Sequence, residues 1–228
     1  TPQLRKPENS SPYADVQAHF PHHSTMRWRE YDAVDTTTHE MTHALNTIIA
    51  FPINQQQVKN KTMEEAHTVF YVGQGRCYTL GAPKTRHQKL QTWLPMPPQL
   101  AQPYGIYIKK PDRVRPLDMF DEWTAYMQDV RQSTWMAANP KESAGQRLGP
   151  NPGQLPAFAY FCTALAAQIE QDDPEYAQDF RFQTFFHWCH RESARLYNEG
   201  RKYPLIAPKD DRRQGLVEAV VPPGGELC

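Results

Sequence analysis

Thr36-Thr37-Thr38-His39-Glu40-Met41-Thr42-His43-Ala44-Leu45-Asn46 is the stretch on which the reading of this chain turns. It contains H-E-x-x-H. One helical turn separates the two histidines, so on a helix both imidazoles face the same side and can address one metal ion. Glu40 lies beside them, placed to take a proton from a water bound to that ion. Thr36 to Thr38 are N-cap types, and Ala44, Leu45, Ile48 and Ile49 recur at helical spacing. The pattern predicts a helix from Thr36 to Ala50 that stops before Pro52. A competing reading takes Thr37-x-x-Glu40 as a capping box. It accounts for Glu40 and leaves both histidines without a reason.

Working outward, residues 1–24 are rich in Pro, Ser, His and Gln and read as an extended arm. Met26 to Val34 alternates loosely, as a short strand before the motif helix would. Residues 54–62 are polar and loop-like. Thr68 to Leu80 (TVFYVGQGRCYTL) is β-branched and aromatic around Gly73-Gln74-Gly75 and reads as a hairpin with a glycine turn. It is not a phosphate loop, since no G-x-G-x-x-G follows. Prolines recur from Trp93 to Pro116, marking an irregular connection with one strand at Gly105 to Lys109. From Pro116 to Ala138, Phe120, Trp123, Met127 and Val130 form one stripe of a long amphipathic helix. Gly145 to Pro156 reads as a linker. Two more helices are predicted, Pro156 to Glu170 and Pro174 to Glu199, the second ending at Gly200. There is no internal repeat. The balance is α+β, mostly helical with a small β element. The organisation is an arm at 1–24, one domain at 25–203 with a cleft, and an irregular tail at 204–228.

The chain has 228 residues, enough to bury a core, and its 25 basic and 25 acidic side chains cancel. No Lys/Arg block stands out, which argues against nucleic acid or an anionic membrane as main partner. No apolar run approaches the ~20 residues of a membrane span. Cys77, Cys162, Cys189 and Cys228 are widely spaced without C-x-x-C, so a cysteine zinc site is not indicated. The even count fits two disulfides, with Cys162–Cys189 the first pairing to test. Both also lie in apolar helical stretches, where buried free thiols are common. The chain opens at Thr1, as a processed or trimmed chain does, and Asn9-Ser10-Ser11 and Asn60-Lys61-Thr62 are sequons. The expectation is a secreted or periplasmic protein.

The motif segment resembles the zincin metallopeptidases. That resemblance implies a zincin-like fold, one zinc ion per chain held by His39, His43 and a third ligand, and hydrolysis of a peptide or protein substrate. The metzincin extension would require Gly at Asn46 and His at Ile49, and both are absent. The gluzincin pattern takes its third ligand from a Glu on a second helix. Glu64 and Glu65 have the familiar distance from His43 but lie in a short polar segment. Glu122 borders the apolar stripe of the long helix, at a longer separation than usual, with Tyr126 one turn later and able to donate its hydroxyl to a tetrahedral intermediate. Glu122 and Tyr126 are the first choice, with Glu64 or Glu65 retained as the alternative ligand. Glu40 is the general base and then the general acid.

The remaining acids and histidines read more plainly. Asp121 beside Glu122 does not suggest glycosidase chemistry, since sequence neighbours on a helix point apart. His19, His22 and His23 cluster in the arm, where a solvated polar segment is the simpler reading. His187 and His190 read as partly buried helix residues, with oxyanion stabilisation the sharper alternative. His67 and His87 belong to no constellation. The functional alternative to an enzyme is a non-catalytic zinc-binding or interaction module, its cleft closed by the arm or by the segment from Pro95 to Pro116.

Overall fold

The computed structural model describes residues 11–20, 34–60, 66–86, 90, 94–96, 98–109, 115–143 and 152–207. Within them the fold is mostly helical with one two-stranded antiparallel sheet, as the α+β reading expects. The helices are α1 (Pro12–Ala18), α2 (Val34–Asn60), α3 (Ala101–Tyr107), α4 (Pro116–Ala138), α5 (Leu155–Asp172), α6 (Pro174–Ala177) and α7 (Phe180–Gly200). The strands are β1 (Thr68–Gly73) and β2 (Arg76–Leu80).

Helix α4 is the axis of the molecule. Its stripe of Phe120, Trp123, Met127 and Val130 is buried, and α2, α5, α7 and β1 all pack against it. Its principal core is aromatic: Phe120 meets Phe182, Phe185 and Phe186 of α7, and Trp123 donates its indole N–H to Ser193 at 2.7 Å. A smaller core lies on the other flank of α2. There Met41 and Leu45 join Val16 of α1 and Tyr71 of β1. The motif helix is thereby held between two apolar clusters, one face towards α4 and the other towards α1 and the hairpin.

Several elements depart from the sequence reading, each for a physical reason. Residues 12–18, expected to be extended, form α1, because Ser11 caps Ala14 at 3.2 Å and Pro12 suits the first turn. Helix α2 does not end before Pro52 but continues to Asn60. A proline removes one backbone donor, and the turn beyond it is fastened elsewhere: Asn54 accepts from His67 N at 2.8 Å and donates to His67 O at 3.0 Å. In place of the strand expected at 105–109 the chain completes α3, and Tyr104 within it is buried with the flanking Leu100 and Ile108 at four-residue spacing. The last predicted helix is split into α6 and α7, with Asp179 capping Arg181 N at 2.7 Å. The hairpin matches its reading, pairing Phe70 with Tyr78 and Tyr71 with Cys77. Gln74 and Gly75, at φ of 54° and 67°, make the two-residue turn whose positive φ values suit the twist of the strands.

Cys162 and Cys189 are buried free thiols rather than a disulfide, and Cys77 is an exposed one. Burial pushes both buried thiols far up. Cys228, His22, His23, His87, Glu64, Glu65, most of the 145–156 linker and the tail beyond 207 lie outside the described residues, as does the strand expected from Met26 to Val34 apart from Val34 itself, which opens α2. No helix among the described residues is long and apolar enough to cross a membrane.

Candidate metal centre

The first turn of α2 is built from side chains that bond their own backbone. Thr38 Oγ1 donates to Val34 O and Thr42 Oγ1 to Thr38 O, both at 2.7 Å. Asp35 accepts from Thr36 N at 2.8 Å and from Ser133 of α4 at 2.7 Å, pinning the start of α2 to α4. Thr37 lies inside the helix and not at its cap, so the capping-box explanation of Glu40 falls away.

This docking brings His39 and His43 against Glu122. The Nε2 atoms of the two histidines are 3.0 Å apart, and Glu122 Oε2 is 3.5 Å from the first and 3.7 Å from the second. All three residues form one candidate metal-binding group. A tetrahedral ion with bonds of about 2.0–2.1 Å holds its ligand atoms about 3.3 Å apart, close to the observed triangle. Glu122 Oε2 is also buried without a hydrogen-bond partner among the described residues. Such an orphan is costly unless a cation completes it. The donor set fits a metal.

Electrostatics point the same way. Burial alone would lower His43, but Asp121 and Glu122 outweigh it and push the imidazole up to about 10. Burial would likewise raise Glu122, yet His39 and His43 hold it down at about 2. The two carboxylates thus stabilise positive charge in this pocket, whether a proton on His43 carries it or a cation bound in that proton's place.

Around the triangle the structure adds groups that the sequence reading did not assign. Asp121 Oδ2 lies 2.6 Å from His43 Nδ1. Adjacent helix residues diverge, but an imidazole presents nitrogens on two sides. Glu122 faces Nε2 while Asp121 reaches Nδ1, so both neighbours engage one ring. The Asp-Glu pair was visible in the sequence; the two-sided ligand was the missing consideration. Tyr107 is the second addition. It comes from α3, inside the proline-rich segment, and its hydroxyl is 3.2 Å from that of Tyr126. Tyr126 packs its ring edge-on against His39, with centroids 4.5 Å apart, and both tyrosines rest on Phe158. Burial, with Glu122 nearby, raises both phenols, so each stays a protonated donor at neutral pH.

Glu40 is half-buried and makes no hydrogen bond or ion pair among the described residues, although its charge is felt by Tyr126. The other described histidines stay apart from the triangle. His190 is buried between Trp123 and Phe186 with Nε2 3.2 Å from Thr163. His19 Nδ1 donates to Asp15 O at 2.7 Å and neighbours Tyr71. His67 is engaged through its backbone with Asn54. No family model, curated protein or solved structure matches this chain.

Proposed function

We propose that this protein is a zinc-dependent hydrolase, with peptides as its substrate class. The observation that carries the reading is the triangle of His39 Nε2, His43 Nε2 and Glu122 Oε2, drawn from two helices and closed to within 3.7 Å. In this reading His39, His43 and Glu122 hold the ion, and the two neutral nitrogens with one carboxylate leave a net positive charge there. When bound, zinc supplies a Lewis acid and lowers the pKa of a coordinated water towards 7. Glu40, whose carboxylate is uncommitted among the described residues, accepts the proton of the attacking water and returns it to the leaving amine. Tyr126 donates its hydroxyl to the oxygen that gains charge, and Tyr107 orients that hydroxyl from behind. The peptide preference rests on the resemblance of the H-E-x-x-H segment to zincin metallopeptidases, and it is the part of the reading that substrate screening decides.

The test combines metal content with turnover. Wild-type protein is expected to bind about one zinc per chain, and Glu40→Gln to keep that zinc while losing nearly all hydrolysis of a peptide library. Full metal retention in the His39→Ala/His43→Ala double variant would remove the centre altogether. Zinc loading without cleavage of any library member would leave a metal-binding module in place of an enzyme.

A further inference from the structure

We propose that Asn46 is a positioning residue of the metal centre, fixing which nitrogen of His43 carries the proton through a directed chain of hydrogen bonds from the β1 backbone. The inference rests on the metal-centre reading above and deepens it. Asn46 lies one turn beyond His43 on α2 and is buried. Tyr71 N, on β1, donates to Asn46 Oδ1 at 2.6 Å. A backbone N–H can only donate, so the amide of Asn46 has no freedom to flip: its oxygen must face the strand and its NH2 must face away. That NH2 donates to Asp121 Oδ1 at 2.5 Å. Asp121 then offers Oδ2 to His43 Nδ1 at 2.6 Å, and because a carboxylate only accepts, Nδ1 holds the hydrogen. In the neutral imidazole Nε2 therefore has the lone pair, pointed at His39 and Glu122. The tautomer that a metal ligand needs is dictated from the strand, through three contacts whose polarity never reverses.

A second tether supplies the control. Asn54 joins α2 to the segment before β1 through His67, in the same manner, but leads to no ligand. If Asn46 served only to fasten helix to hairpin, the two asparagines would behave alike.

The decisive experiment exchanges the two polar side chains. Asn46→Asp alone sets two carboxylates against each other without a proton between them. Asp121→Asn alone must satisfy two donors, Asn46 Nδ2 and His43 Nδ1, with one oxygen. The double variant Asn46→Asp/Asp121→Asn restores every direction. The carboxylate on α2 then accepts from Tyr71 N and from the amide on α4, whose oxygen faces His43. Zinc affinity is measured by competition with a chromophoric chelator. Long-range ¹⁵N spectra of the zinc-loaded protein report the protonation of His43 Nδ1. Each single exchange is expected to weaken zinc binding about 10–100-fold, the double exchange to recover most of that loss, and Asn54→Ala to leave affinity unchanged while lowering the unfolding midpoint. Should a single variant fail to fold, the doubly exchanged chain still decides. Wild-type affinity in both single variants, or a double variant no better than the weaker single one, overturns the relay. A wild-type protein that binds no zinc overturns the centre on which it depends, a distinct outcome.

Discussion

Glu122 stands out among the side chains because its carboxylate does two things at once. It closes the triangle of nitrogens, and its Oε2 is left buried without a hydrogen bond. Replacing it with glutamine keeps the shape and removes the charge, so Glu122→Gln is expected to weaken zinc binding by far more than Glu65→Gln. Isothermal titration of both variants ranks them, and the opposite order would transfer the third ligand to the segment after α2. Tyr126 is a subtler case. Its hydroxyl already has Tyr107 as a neighbour, so Tyr126→Phe is expected to lose on the order of 10² to 10³ in turnover with zinc content unchanged. A loss confined to KM would instead make Tyr126 a substrate contact.

Elements, unlike residues, depend on how neighbours tolerate them, and the hairpin turn shows this sharply. Gly73 has φ of 92°, and a Cβ there would lie 2.8 Å from Arg131 Nη1, which itself donates to Val72 O at 2.7 Å. Gly73→Ala is therefore expected to cost about 1–3 kcal/mol, read from denaturant midpoints, through backbone strain and displacement of that guanidinium. The same comparison explains which elements could be read in advance. Helix α4 was legible to the residue because proline opens it and four large apolar side chains repeat along one face. The hairpin was legible because its glycines demand a turn. Helix α3 was not, because a short stretch with Pro103 and Gly105 hides the spacing of Leu100, Tyr104 and Ile108 among turn-forming residues. The extension of α2 past Pro52 depends on Asn54 finding a partner in another segment, which local sequence cannot express. Of the candidate site, His39, His43 and Glu122 could be picked out from motif and helix phase and lie together in the structure, while Glu40 rests on the motif alone. Asp121, Asn46 and Tyr107 enter only through the docking of α2, α3 and β1 onto α4.

For the whole molecule, stability is coupled to protons and, on the proposed reading, to metal. His190 is buried, and burial together with His187 nearby lowers it to about 4 from 6.5. The unfolded chain therefore binds more protons than the folded one between those values. This contribution is fully retained above pH 6.5 and is lost as pH falls towards 4, amounting to about 3 kcal/mol. His190→Gln should flatten that part of the profile, so its stability difference from wild type must change between pH 7 and pH 4; a constant difference counts against the buried neutral imidazole. Zinc acts separately. At about a thousandfold excess over Kd it is expected to stabilise the native state by about 4 kcal/mol, so chelation should lower the melting temperature of wild type and leave His39→Ala/His43→Ala unmoved.

The candidate ligands come from α2 and α4, with the hairpin and α3 between them along the chain. Two histidines a turn apart can form on an isolated helix, but the carboxylate arrives only after a long loop has closed. On the proposed reading, metal capture is thus a clock for assembly. During refolding in cobalt, far-UV ellipticity should recover first and the visible absorbance of a three-ligand site only later, the lag timing the moment α2 settles onto α4.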